Sequence, residues 1–359
     1  MSPRSLAAAS TLDPVPQPLE AEWERLVARS GATPFHSLGW LRAWWSAFGR
    51  GRLMLVTLRD GSELVAGVPL QVSGRRLSSP TNWHTPVFGP VADSADSARQ
   101  LLDYVFGLEH RSIDLSWLAT DDQTLELAIA SARGAGRLVS ARRLARSPWI
   151  DLTGGWDDCE RRLSRNRLKS VRRSRRRLEE LGGVSLDVVE GGPGLERALE
   201  EAFRIETSGW KGSRGTAMVS RPETRRFYSE VARWAAGRGW LRLSFLRLDD
   251  NAAAFDLSLE HDGVRYSLKA GYQAELARSG PGVTLLHELL LESHREGVRR
   301  FELLPPEDEF KRSWTEHAGD RAWMRACAPS VAGRAEALFL RARERVRPAA
   351  RRVRARIAS

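Results

Sequence analysis

The fold is decided by Trp240–Leu304, WLRLSFLRLDDNAAAFDLSLEHDGVRYSLKAGYQAELARSGPGVTLLHELLLESHREGVRRFELL. GWLRLSFLRL reads as a strand, Asp249-Asp250-Asn251 as a turn and AAAFDLSLE as a second strand. Asp262-Gly263 is a hairpin signal leading into a third strand, VRYSLKAGY. Gly280-Pro281-Gly282 then opens a helix, because glycine suits the cap and proline the first helical position. The helix runs through VTLLHELLLESHREG, and RRFELL returns as a strand.

The same order of elements occurs upstream, from Leu53 to Leu118. LMLVTL turns at Asp60-Gly61 into ELVAGVPLQVSG; a proline-rich stretch follows, then a helical pattern at ARQLLDYVFGLEH and the strand SIDLSWL. Side-chain identity between the halves is slight, so the duplication rests on element order. Ahead of it, Ser37 stands as an N-cap for LGWLRAWWSAFG, whose Leu38, Leu41, Trp44, Trp45 and Phe48 share one face. Core packing is the plain reading of that face, and an aromatic ligand platform the sharper one.

The chain has 359 residues, 42% of them hydrophobic, enough for two domains with their own cores. Two cysteines, Cys159 and Cys327, cannot build a disulfide framework or a cysteine-based zinc site. No apolar run reaches the roughly 18–20 residues of a membrane span. The first eighteen residues read as a disordered leader and not a signal peptide, so the expected compartment is the cytoplasm. Motifs for dinucleotide binding, phosphate-cradling loops, zinc hydrolysis and nucleophile elbows are absent, and no metal site is expected.

The net charge is +11, from 56 basic and 45 acidic residues. It favours anionic partners and concentrates in two segments. ERRLSRNRLKSVRRSRRRLEELGG, from Glu160, is a helix with one thin seam, Leu168, Val171, Leu178 and Leu181, and an arginine surface. It is either a solvated connector or a cradle for phosphate-rich ligands. The C-terminal GRAEALFLRARERVRPAARRVRARIAS repeats apolar residues every three or four positions among arginines, a pattern that suits either a solvated tail or an anionic membrane surface. Only four lysines remain, Lys169, Lys211, Lys269 and Lys311, and a lysine kept among so many arginines suggests a need for a compact point charge.

Three segments carry the candidate chemistry. Ser279, Gly280, Gly282, Val283 and Thr284 form a strand-to-helix loop whose N–H groups make an anion seat. Glu206-Thr207-Ser208-Gly209-Trp210-Lys211 lies between two helical patterns. Glu309-Phe310-Lys311-Arg312-Ser313-Trp314 follows the returning strand, where the Lys311 ammonium could stabilise an oxyanion; the bland alternative is a surface pair with Glu307 or Asp308.

In this order, WKG and GTA, an antiparallel meander, LKAGYQAELARSGPGVTLL and EFKRSW resemble the CelD-like branch of the GNAT acyltransferases, related to the Fem-type aminoacyl transferases. The resemblance covers nearly the whole chain. It implies an α+β fold of tandem GNAT-like domains, each a mixed, largely antiparallel sheet with flanking helices. The expected division is a leader 1–18, a first domain 19–150, an arginine-rich connecting helix 151–183, an acyltransferase domain 184–330 and a basic tail 331–359. The chain departs from the family at Gln273, at Glu302-Leu303-Leu304-Pro305-Pro306 and at Phe310, where the relatives carry tyrosine.

The resemblance implies an N- or O-acyltransferase that uses acyl-CoA as cosubstrate, without a tightly bound cofactor, on a small-molecule or sugar-type acceptor. Lys311, Lys211 and Glu206 are its candidate catalytic residues, with Asp256 a second candidate base. Trp210, Asp256, Lys269, Tyr272 and Phe310 are its candidate acceptor-side residues. Alternatives are an aminoacyl-tRNA-dependent transferase and a non-catalytic module binding nucleic acid or membrane, nucleic acid being the disfavoured partner.

Overall fold

A computed structural model describes residues 4–9, 17–208 and 221–340. It comprises two compact units. Unit 1 holds the described residues up to Leu41, Gly49–Leu144 and those from Asp320 on, and unit 2 holds Arg42–Phe48 and Ala145–Gly319. In chain order the elements begin with β1 (Arg4–Ala9), α1 (Gln17–Arg29), α2 (Leu38–Phe48), β2 (Arg52–Asp60), β3 (Glu63–Ser73), β4 (Arg76–Ser78), β5 (Val91–Ala92), α3 (Ala95–Gly107), β6 (Ser112–Ala119), α4 (Thr124–Gly134) and β7 (Leu138–Asp151). There follow α5 (Trp156–Arg162), α6 (Arg165–Glu179), β8 (Val184–Val189), α7 (Leu195–Ser208), α8 (Pro222–Gly237), β9 (Leu241–Leu248), β10 (Asn251–His261) and β11 (Val264–Tyr272). The last are α9 (Pro281–Arg295), β12 (Arg300–Glu302), α10 (Glu309–Arg312) and β13 (Ala318–Cys327), with residues 331–340 also helical.

The ladders make the duplication explicit. Unit 1 orders its strands β1-β2-β3-β4-β6-β13, with β4 and β6 parallel and every other neighbour antiparallel. Unit 2 orders β8-β9-β10-β11-β12-β7, again with one parallel pair, β11 and β12, at the fourth place. Aligning the parallel pairs superposes Ser112-Ile113-Asp114 on Arg300-Phe301-Glu302. In both, an apolar residue points into the core and an acid follows that pairs with arginine: Asp114 with Arg325, Glu302 with Arg300 at 2.5 Å. The mixed, largely antiparallel fold is therefore as expected. The turns follow the sequence too: Asp262 and Gly263 both have positive φ (49° and 69°), the condition for a tight two-residue hairpin.

Unit boundaries differ from the expected division, and the expected leader 1–18 is not disordered throughout, because Arg4–Ala9 is a strand hydrogen-bonded to β2 and α1 begins at Gln17. The sixth strand of each sheet is remote in sequence: β13 closes unit 1, and residues 145–151 of β7 close unit 2. The arginine-rich helix α6 is no connector. Val171 and Leu178 enter the unit 2 core with Leu285, Leu289 and Phe301, while Leu181 is 57% exposed and Ser174 takes the remaining buried position. Residues 331–340 are likewise no solvated tail, because Ala337 is buried in unit 1. The aromatic face of α2 is a packing face: the Phe48 ring lies 5.4 Å from Phe227, and Trp44 is buried.

Candidate functional site

The parallel pair in unit 2 is joined over only part of β11. β11 pairs with β12 only through Val264, Arg265 and Tyr266, then continues six residues to Tyr272 with no β12 partner. β12 ends at Glu302, and the chain turns through Leu304, a non-glycine residue at φ 59°. Lys311 braces this turn: its ammonium donates to the carbonyls of Leu304 (2.7 Å) and Pro306 (3.1 Å). Neither expected surface pair forms. Glu307 bonds Arg146 at 2.9 Å, and Asp308 accepts the Lys311 backbone N–H at 2.8 Å as the cap of α10. Phe310 and Trp314 meet edge-on at 6.1 Å, and the Arg167 guanidinium from α6 lies 5.7 and 4.9 Å from the two rings, which makes Phe310 a packing partner as well as a half-exposed ring.

From the free end of β11 the chain passes through a 3-10 turn, Ala274–Ser279, to Gly280 and α9. Gly280 is left-handed (φ 73°) and touches Ser174 of α6, so that a Cβ there would sit 2.9 Å from the serine Cβ. Arg177 donates to the Arg278 carbonyl at 3.0 Å. This helix start has no side-chain cap and no acid in its first turn. The expected seat of three N–H groups is smaller, however. Val283 and Thr284 already donate to the Gly280 carbonyl at 3.1 and 3.2 Å, because a cap residue's C=O accepts the first helical bonds. Pro281 has no N–H, so Gly282 supplies the one that no acceptor takes among the described residues. Tyr272 stacks its ring edge beside Gly282, 3.3 Å from where a Cβ would stand.

Polar residues on β11 divide between the two faces of the sheet, and a bulge explains how. Leu257 pairs with Lys269 but Ser258 with Ser267, leaving Leu268 as an extra residue that reverses the side-chain alternation. Arg265 and Ser267 therefore lie on the α9 face. Arg265, fully buried, donates to Glu292 (2.6 Å), Ser293 (3.1 Å) and Ser244 (2.9 Å). Ser258 and Ser267 both donate to the buried carboxylate of Asp256. Lys269 falls on the α7 face, where its ammonium meets the buried Glu206 carboxylate at 3.4 Å and lies 5.4 Å over the Tyr228 ring. Burial first, and then Glu206, push the Tyr228 phenol well above its ordinary range. The candidate bases Glu206 and Asp256 are thus on opposite faces, and Glu206 is joined with Lys269.

Trp210 and Lys211 lie outside the described residues. The residues that the sequence reading missed, Ser174, Tyr228, Arg265 and Arg167, are ordinary surface or core types whose roles come from non-local contacts. Among the described residues no group of three or more His, Cys, Asp or Glu is placed to hold a metal ion, and no helix is long and apolar enough to cross a membrane.

With this geometry in view, the family match falls on unit 2, whereas the similar solved structures span both units. Residues 165–312 match the acetyltransferase (GNAT) domain. That span opens at α6 and ends at α10, so the arginine-rich helix belongs to the matched domain. No curated protein matches the chain. Among solved structures, FemX is similar over 85% of this chain and 95% of its own, at TM-score 0.59 and 11% identity. L-PGS from Bacillus licheniformis covers 89% and 95%, at 0.58 and 14%. The C-terminal domain of an Agrobacterium fabrum protein described as a lysylphosphatidylglycerol synthetase covers 90% and 96%, at 0.53 and 14%. At these identities the likeness is one of fold.

Proposed function

We propose that unit 2 is an acyltransferase centre, which holds a thioester donor where β11 outruns β12 and passes its acyl group to an amine or hydroxyl. The observation that carries this reading is the edge of β11 beyond its last β12 partner, leading into a helix start with no side-chain cap and no acid in its first turn. An extended donor arm with amide groups adds to such an edge as a strand, and its anionic end lies at the Gly282 N–H. Acyl-CoA has both features. Attack breaks the C–S bond and forms C–N or C–O; the thiolate leaves, and the acceptor's proton goes to a base or to the departing sulfur. We assign Glu206 as the candidate proton acceptor ahead of Asp256, whose two oxygens already accept serine hydroxyls. Lys311 acts by holding the turn at the end of β12.

The similarity in fold to FemX and to L-PGS supports an aminoacyl donor as much as an acyl-CoA. The exposed Arg172, Arg173, Arg176 and Arg177 of α6 suit a tRNA backbone. The CelD-like resemblance, which implies a small-molecule or sugar-type acceptor, makes a sugar or lipid-linked sugar our preferred class. Calorimetric titration separates the donors. Saturable CoA binding with weak salt dependence supports the thioester, and steep salt dependence with aminoacyl-tRNA supports the other. Gly282→Asp is expected to lower CoA affinity at least about tenfold, with Gly282→Ala, which makes the same contact with Tyr272 without the charge, as control. Equal CoA affinity in wild type and Gly282→Asp overturns the donor site.

A further inference from the structure

The helix at residues 331–340 shows its apolar side the wrong way round for a soluble protein. Gly333 and Ala337 face unit 1, whereas Val331 is 87%, Leu338 65% and Phe339 64% exposed. With the exposed Ala335, these residues sit at i, i+4, i+7 and i+8, a single outward stripe. The roll of the helix is fixed from below. Glu336 takes three arginines of unit 1, Arg76 (3.1 Å), Arg111 (3.2 Å) and Arg325 (3.0 Å), and Gly333 lies against the Ala328 carbonyl where no Cβ fits. The helix therefore cannot turn its stripe inward without breaking that cluster.

The chemistry along the sequence names the partner. From Val331 to Ser359 there are nine arginines and two glutamates. The apolar spacing continues as Ala342, Val346, Ala350, Val353 and Ile357, with arginine between. A narrow apolar stripe flanked by arginine fits the headgroup layer of an anionic bilayer, where the stripe enters the acyl boundary and the guanidinium groups meet lipid phosphates. A nucleic acid would use the arginines and leave the stripe exposed.

We infer that the C-terminal segment beginning at Val331 docks the protein on an anionic membrane surface through Val331, Leu338 and Phe339, with the following arginines as its electrostatic half. This inference does not depend on the transfer reaction. It is tested with the full chain in co-sedimentation with vesicles of phosphatidylcholine alone and of phosphatidylcholine with phosphatidylglycerol. Binding is expected only to the anionic vesicles and should weaken as salt is raised. Leu338→Ser with Phe339→Ser keeps every charge and is expected to reduce vesicle affinity by at least about tenfold, the loss of two apolar anchors. Because both side chains are exposed, the circular dichroism melting curve should stay unchanged; Val331→Ser with Phe339→Ser is the second variant should the first melt early. The inference is overturned if the serine variants bind anionic vesicles as wild type does, if the full chain ignores them, or if it prefers RNA and the serine variants leave that binding intact.

Discussion

Gly280 is where the candidate site is most exposed to a single methyl group. It is left-handed at φ 73°, and its missing Cβ would overlap Ser174 on α6, 2.9 Å from the serine Cβ and closer still to its hydroxyl. Gly280→Ala therefore meets two independent costs. Placing a Cβ in the left-handed region costs about 1–2 kcal/mol, and overfilling a packed contact adds about 1–3 kcal/mol. Rotating the Ser174 hydroxyl relieves its oxygen but not its Cβ, so the second cost persists. We expect Gly280→Ala to destabilise unit 2 by roughly 2–5 kcal/mol. Ser174→Gly added to it should restore the packing part, less about 0.5 kcal/mol for glycine inside a helix. Since the chain has two units, a global melting temperature is the wrong readout. Hydrogen exchange of the α9 amides, compared between the single and double variants, reports the local loss. If Gly280→Ala leaves α9 exchange unchanged, or Ser174→Gly rescues nothing, the contact between the arginine-rich helix and the start of α9 is not as described.

Lys269→Met leaves the Glu206 carboxylate buried without its ammonium, and we expect a loss of about 3–5 kcal/mol by urea denaturation; adding Glu206→Gln should restore most of it, and equal stability of single and double variants would refute the pairing. His287 gives a pH dependence. Burial lowers its pKa, but the carboxylates of Glu288 at 3.9 Å and of the hydrogen-bonded Glu160 at 3.0 Å outweigh this and leave it raised above 6.5. Its contribution is therefore complete below pH 6.5 and is lost as pH rises through the folded value, so wild type should lose stability over that window and His287→Gln should not.

The sequence exposed those features that are set by neighbouring residues. Asp60-Gly61 and Asp262-Gly263 marked their hairpins because positive φ is a local demand, and Gly280-Pro281 marked a helix start for the same reason. The arginine-rich segment was legible as a helix but not as part of the unit 2 core, since its seam depends on Ser174 meeting Gly280 more than a hundred residues away. The bulge at Leu268 was invisible: VRYSLKAGY reads as one alternating strand, and only the ladder with β10 shows that Lys269 and Ser267 face opposite sides. The scarcity of lysine draws attention to Lys311 but not to what it touches. Its contacts are main-chain carbonyls, which no side-chain pattern can reveal.

The duplication itself argues for which copy carries the chemistry. Both units place one parallel pair at the same point of the ladder, yet only in one does the first strand of the pair run well past its partner. In unit 1, β4 stops at Ser78, its third and last partner on β6, so no length of strand is left to receive an extended ligand. The helix that follows begins under a cap, with Ser94 accepting the Ser97 N–H at 3.2 Å and Asp96 in the first turn. An anion approaching there would meet a carboxylate and find an N–H already taken. In unit 2, β11 runs six residues beyond its partner and α9 begins at a glycine with no acid in its first turn. The same ladder thus yields a pair matched to its end in one copy and an overrunning strand in the other. The acetyltransferase match to residues 165–312 falls on the copy with the overrun.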